Sequence, residues 1–301
     1  MLFNCQSLLV GISLISQALS APILESRATA AASAFPDLHR AAQLSSAAYS
    51  GCKGTAFDVT ITKRIDDILT GTDGFIGYST EKKKISVIMR GSTSIVDLLN
   101  DIDIHLVTPS LSGVTFPSDV QIMRGISRPW SAIHDTVIAE VKSLIAKYPD
   151  YTLEAIGHSL GGALTSIAHV ALAQNFPDKE LTSNALAAFP IGNEAWANFA
   201  GSQPGTFNRG NNVLDGVPNM YSSGLVNFKH YGTSPFHFNV QSLTYRDHEQ
   251  EYYSSGSESS CVKCEGQRDR ACSAGNGMYA VTIGHFSSFG ITMLTAGCGG
   301  L

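Results

Sequence analysis

In the run Gly157-His158-Ser159-Leu160-Gly161-Gly162 a serine stands where covalent chemistry is expected. Residues 151–156 (YTLEAI) before it read as a short strand, and 163–174 after it as a strongly apolar helix. A G-x-S-x-G run between a strand and a helix is the pattern of a nucleophile elbow. So sharp a turn strains the serine backbone, and glycines at 157 and 161 leave room where a Cβ would collide with the neighbouring strand and helix. The helix N-terminus then sets backbone N–H groups and a partial positive charge beside the Ser159 hydroxyl.

A serine hydroxyl is a weak nucleophile unless a base takes its proton and a third group orients that base. In this setting the expected chain order is serine, acid, histidine. His230, His237, His248 and His285 follow Ser159. His285, in Thr282-Ile283-Gly284-His285-Phe286, has an apolar segment behind it to anchor its loop. His248 is the alternative, although Tyr245-Arg246-Asp247-His248-Glu249 is a charged run in which a solvated role is more natural. For the acid, Asp215 ends an apolar stretch and starts the turn Asp215-Gly216-Val217-Pro218, where its side chain could equally cap the turn. Asp178, Asp247 and Asp269 lie in polar loop or helix-end contexts. Acyl transfer also needs donors for the developing oxyanion. The Leu160 backbone N–H is one, and Ser92, in Arg90-Gly91-Ser92 after an early strand, is the candidate for the other; its hydroxyl can also cap the following helix. This chemistry requires no cofactor and no metal. Cys261-x-x-Cys264 with Cys272 has no histidine at finger-like spacing, so disulfides are the better reading.

The elements that must hold these residues follow from periodicity. Helical spacing runs over 35–49 and over 130–148, where Ile133, Val137, Val141, Leu144 and Ile145 share a stripe ended by Pro149. Strands are expected at 57–61, 75–78 and 84–89 (KISVIM), with further candidates at 186–189 and within 205–214. Residues 221–276 read as long loops, with one strand at 241–245. Strand and helix alternate, which predicts an α/β fold: a mostly parallel sheet with helices on both faces. No linker separates two cores, so 35–301 is expected to be one domain.

Thr93–His105 sets Ile95, Leu98, Leu99 and Ile102 on one face against Asp97, Asn100, Asp101 and Asp103 on the other. Such a helix either packs into the core or forms a movable lid beside the oxyanion loop. The first 20 residues carry no charge and contain a short apolar run followed by Ala18-Leu19-Ser20, a secretory signal pattern; 21–34 would be a propeptide or flexible segment. Export removes Cys5 and leaves five cysteines in an oxidising compartment. Cys52 and Cys298 flank the folded region, and spacing alone leaves open which of the clustered three is free. No run is long enough to span a bilayer, so the product is expected to be secreted, soluble and extracellular. Of 301 residues 15 % are charged and 44 % hydrophobic, which excludes a disordered chain, and a net charge of −5 argues against a nucleic-acid partner.

Met89-Arg90-Gly91-Ser92-Thr93-Ser94, Gly157-His158-Ser159-Leu160-Gly161-Gly162, Ile191-Gly192-Asn193, Asp215-Gly216-Val217-Pro218 and Gly284-His285 occur in one order over nearly the whole mature chain. In them the sequence resembles the fungal class 3 lipase family, which also includes feruloyl esterases. The resemblance implies an α/β-hydrolase fold with Ser159 as nucleophile, Asp215 as acid, His285 as base, and Ser92 and Leu160 as oxyanion pair. It also implies a lid over the Ile95–Ile102 stretch and the bridges Cys52–Cys298 and Cys264–Cys272, with Cys261 free. The substrate would be an acyl ester or lipid, including one presented at an oil–water interface. A triacylglycerol lipase is favoured by the apolar lid stripe; a feruloyl esterase is the alternative, towards which Asp215-Gly216-Val217-Pro218-Asn219 leans. The family's His-x-Gly-Phe is replaced by Met123-Arg124-Gly125-Ile126, and Pro190-Ile191 lacks the family's arginine. A non-enzymatic scaffold is the contrasting class; a complete serine, acid and histidine set argues against it.

Overall fold

Every second residue of the KISVIM run is apolar and faces the same way, and this alternation explains how one strand serves two layers. The computed structural model describes residues 31–94, 101–223, 228–230, 249–266 and 268–299. Helix α1, over 31–50, leads into an antiparallel run of β1 (Thr55–Ala56), β2 (Val59–Asp67), β3 (Thr72–Ser79) and β4 (Lys84–Met89). The short β5 (Leu106–Val107) and β6 (Ile122–Met123) pair outside the main sheet. Helix α2 (Arg124–Lys147), β7 (Thr152–His158), α3 (Leu160–Asn175), β8 (Leu181–Leu186), α4 (Glu194–Gly201) and β9 (Thr206–Asn212) then alternate. Strands β4, β7, β8, β9 and β10 (Glu249–Ser254) are mutually parallel, and β11 (Val262–Lys263) closes the sheet antiparallel. The nine-stranded order is β1-β2-β3-β4-β7-β8-β9-β10-β11, parallel at the centre and antiparallel at both ends. A hairpin of β12 (Ser287–Ser288) and β13 (Ile291–Thr292) follows.

On one face Ile85, Val87 and Met89 of β4 and Leu153 and Ala155 of β7 pack with Trp130, Val137 and Val141 of α2 and with α3. On the other, Ile88 and Ile156 pack with Leu38, Ala41 and Leu44 of α1. Burying both faces needs a helix layer on each, as the strand–helix alternation predicts.

Several boundaries differ from the periodicity reading. α1 already covers 31–34, inside the segment expected to be a propeptide or flexible, and Ala31 is fully buried. α2 begins at Arg124 rather than Trp130 because Ile126 and Ser127 continue its buried stripe past Pro129. The strand expected at 186–189 is instead β8, ending at Leu186; its polar Thr182, Ser183 and Asn184 hid it from a search for apolar runs. β10 lies where loops were expected, since its sequence EQEYYS has no apolar alternation. The expected strand at 241–245, the proposed signal segment, and Ile95, Leu98 and Leu99 of the candidate lid lie outside the described residues. Disulfides join Cys52 to Cys298 and Cys264 to Cys272; Cys261 is free and buried, and burial pushes its thiol up to about 11. Among the described residues no helix is long and apolar enough to cross a membrane.

Candidate active site

The turn from β7 into α3 is set by what its two glycines exclude. A Cβ on Gly157 would strike the Gly161 carbonyl, and one on Gly161 would strike the Met89 carbonyl at the end of β4. With the backbone drawn this close, Ser159 is forced to φ 61° and ψ −124°, a left-handed conformation costly for a residue with a Cβ. The same proximity lays Arg90 and Gly91, just before Ser92, against the elbow.

Three candidate residues from distant parts of the chain meet here. His285 Nε2 lies 2.8 Å from Ser159 Oγ, and His285 Nδ1 lies 3.1 Å from both Asp215 oxygens. All three residues have zero solvent exposure. Asp215 follows Leu214, itself at φ 62°, and precedes a short 3-10 helix over Val217–Asn219. The Val217 N–H donates to Asp215 Oδ1 at 2.9 Å, so the Asp-Gly-Val-Pro turn fixes the carboxylate that faces the imidazole. The loops carrying Asp215 and His285 are tied together: Gly216 N–H donates to Thr282 Oγ1 at 3.0 Å, Thr282 donates to the Leu214 carbonyl, and Asn212 Nδ2 donates to the Gly284 carbonyl at 3.1 Å.

Leu160 is the first residue of α3, where a helical N–H has no partner within its own helix. Ser92 is half-buried, and its Oγ accepts the Ser94 N–H at 3.1 Å, leaving its hydroxyl proton for another acceptor. Of the candidate lid, Ile102 is described; it does not lie on the expected helix, since 102–105 are non-helical, and it is instead partly buried against the main core, where a Cβ on Gly125 would touch it. The adjoining Asp103 is held down to about 2 by hydrogen bonds from His105 and Arg124, which fastens this end of the segment to the start of α2. The alternative base, His248, lies outside the described residues.

Two residues of this site escaped the sequence reading. His158 is fully buried, and desolvation, reinforced by the neighbouring His285, holds its pKa well below the ordinary imidazole value. It is therefore neutral. Its Nε2 lies 3.0 Å from the His285 carbonyl, which can only accept, so Nε2 carries the proton. Nδ1 then accepts from the Tyr49 hydroxyl at 3.1 Å. That hydroxyl occupies the space where Gly91 lacks a Cβ, beside the oxyanion loop. Burial also pushes the Tyr49 phenol up, keeping it protonated. Position 158 directly precedes the nucleophile; the sequence signal was present, but its partners were not visible.

A buried nucleophile, base and acid in series, with helical N–H groups alongside, can perform acyl transfer. The family model for lipase (class 3) matches residues 86–224, which contain the elbow and Asp215. The chain is 77 % identical over 299 residues to a secreted alkaline triacylglycerol lipase of Penicillium cyclopium, covering 99 % of both. It belongs to the class 3 lipase family. This class 3 lipase is a carboxylic ester hydrolase. It superimposes on the crystal structure of a triacylglycerol lipase from Penicillium expansum with a TM-score of 0.83 and 75 % identity, covering 90 % of this chain and 98 % of that one. A Rhizomucor miehei triacylglyceride lipase, at 22 % identity and a TM-score of 0.72 over 87 % of this lipase and 96 % of that chain, shares the α/β-hydrolase fold.

Proposed function

We propose that this class 3 lipase is a secreted triacylglycerol lipase in which Ser159 is the nucleophile, His285 the base and Asp215 the group that orients and compensates it. The observation that carries the roles is the unbroken line from Ser159 Oγ through both nitrogens of His285 to the two oxygens of Asp215. His285 takes the Ser159 proton as Oγ attacks the ester carbonyl, and the oxyanion is met by the Leu160 N–H and by Ser92. The imidazolium, balanced by Asp215, returns its proton to the leaving alcohol, and an acyl-enzyme remains. Water, deprotonated by His285, releases the fatty acid.

The substrate class rests on the 77 % identity to a triacylglycerol lipase along essentially the whole chain. Because the Ser159 hydroxyl has no solvent exposure, an ester reaches it only after a cover moves; the apolar stripe of Ile95, Leu98, Leu99 and Ile102 is our candidate for that cover. The Asp-Gly-Val-Pro turn, which leaned towards a feruloyl esterase, is accounted for by its backbone bond to Asp215. Residues 1–20 are the export signal, in line with a relative named as secreted.

The test is a substrate panel with two variants. Hydrolysis of emulsified long-chain triacylglycerol is expected to exceed that of methyl ferulate, and the reverse order removes the lipase reading. Ser159→Ala is expected to lose activity on every ester by about 10⁵-fold or more. His285→Ala should match it while His248→Ala retains most activity; an exchange of those results reassigns the base.

A further inference from the structure

We propose that Ile68 and Leu69, at the tip of the β2–β3 hairpin, anchor the catalytic edge of the sheet to the surface of an uncharged lipid phase. This rests on the triacylglycerol reading and adds where the protein holds its insoluble substrate. Ile68 and Leu69 are 87 % and 89 % exposed, the two most exposed large apolar side chains among the described residues. Singly exposed apolar residues are ordinary; an adjacent pair at a turn is not, and this turn is built to present them. Its polar groups are used internally: the Thr70 N–H and hydroxyl both donate to Asp67 Oδ2, at 2.8 and 2.5 Å, and the Thr70 and Thr72 hydroxyls lie 2.7 Å apart. The turn thus points its apolar side chains to solvent and its hydrogen-bonding groups inward.

The strand register fixes where the tip stands. Asp67 pairs with Thr72, Gly74 with Met89, and Met89 in parallel with Gly157, so the β2–β3 turn lies at the sheet edge that carries Ser159. Three strand steps separate β2 from β7, about 14 Å at the usual spacing. On the opposite flank, Leu214, next to Asp215, and Ile283, two residues before His285, are 50 % and 82 % exposed; β9, which leads to Leu214, is two steps from β7, about 10 Å. Apolar points therefore stand on both sides of the nucleophile along one edge. The hairpin is also braced against the oxyanion loop: Asp73 accepts from Arg64 at 2.9 Å and from Arg90 at 2.8 Å, and its carbonyl accepts the Arg90 N–H.

Charge selects the lipid. Asp66 and Asp67 adjoin the tip, Arg64 and Arg90 are engaged by Asp73, and the chain carries a net charge of −5. An anionic membrane would repel this flank, whereas a triacylglycerol droplet would not.

The experiment measures adsorption to droplets of uncharged triacylglycerol in a Ser159→Ala background, so that the surface is not consumed. I68S/L69S is expected to bind about tenfold or more weakly than the parent, and I68F/L69F as tightly or tighter. Thermal unfolding of each variant separates a lost anchor from a lost fold. The proposal is overturned by unchanged adsorption of a folded I68S/L69S. It is equally overturned if the pair matters only for anionic phosphatidylglycerol vesicles, or if its main effect is to abolish a dimer seen in sedimentation, since the tip would then meet a second copy. Droplet hydrolysis by the unsubstituted enzyme tests the lipase reading separately: its absence would sink that reading and leave the adsorption result standing.

Discussion

Glu154, in the middle of β7, and Asp215, just past the end of β9, are both buried carboxylates, and they are neutralised by different means. Glu154 receives both oxygens' bonds from Arg40 Nη1 at 2.9 and 3.0 Å, a further one from Ser86 Oγ, and lies 3.4 Å from Lys84 Nζ. Asp215 has His285 as its only ion-pair partner among the described residues, with one backbone N–H in support. A carboxylate held by permanent cations has no charge left to respond to a reaction. One whose partner is an imidazole is completed only when that imidazole takes a proton, so its stabilisation appears at the step that needs it. The same functional group, two strands apart in the sheet, is a structural tie in one place and a reacting group's counter-charge in the other.

That contrast is broken most sharply at Asp215. Asp215→Asn keeps the shape but removes the charge, and is expected to cut kcat by about 10⁴-fold, about 5.5 kcal/mol of barrier. Its unfolding free energy should change by no more than about 1 kcal/mol. Steady-state kinetics and urea titration of one preparation decide it; a loss under tenfold would mean that the imidazolium finds its compensation elsewhere. Glu154→Gln should do the opposite. It leaves the Arg40 guanidinium with Asp58 alone, 2.8 Å away, and is expected to cost about 3 kcal/mol of stability while kcat stays within about threefold. If Glu154→Gln lowers kcat at unchanged stability, the division between the two carboxylates is wrong.

The two carboxylates were unequally legible in the sequence. Asp215 could be picked out because it ends an apolar stretch at a turn, a local signal. Glu154 could not, since YTLEAI reads as a strand whether its glutamate faces solvent or Arg40, and the arginine that decides lies 114 positions away. β10 was missed for the same physical reason. Its Glu251 is buried only because Arg209, Asn211 and Ser273 surround it, at 2.9, 3.0 and 2.5 Å. A polar strand made tolerable by distant partners has no periodicity of its own. The elbow was fully readable, because strand, glycines, serine and helix are contiguous and the steric demand is local. Tyr49 and His158, which join the oxyanion loop to the base loop, were not.

The smallest effect sharpens the comparison at His158, a second imidazole whose ring centre lies 4.7 Å from that of His285. Burial first, and the nearby His285 second, hold its pKa well below the ordinary value. The folded state therefore leaves His158 neutral at pH values where the unfolded chain protonates it. Stability from this group is complete above the unfolded value of about 6.5 and is lost as pH falls towards the depressed folded value, with a slope of about 1.4 kcal/mol per pH unit. His158→Asn can still donate an amide proton to the His285 carbonyl but has nothing to titrate. Urea unfolding between about pH 6.5 and pH 5 should then show the acid limb flattened by that one-proton slope. His230, which is buried and depressed in the same direction, contributes to the slope that remains. Parallel limbs for the parent and His158→Asn would mean that His158 binds a proton in the native state. Its Nδ1 would then donate rather than accept, and the bond from Tyr49 that braces the oxyanion loop would have to be drawn the other way.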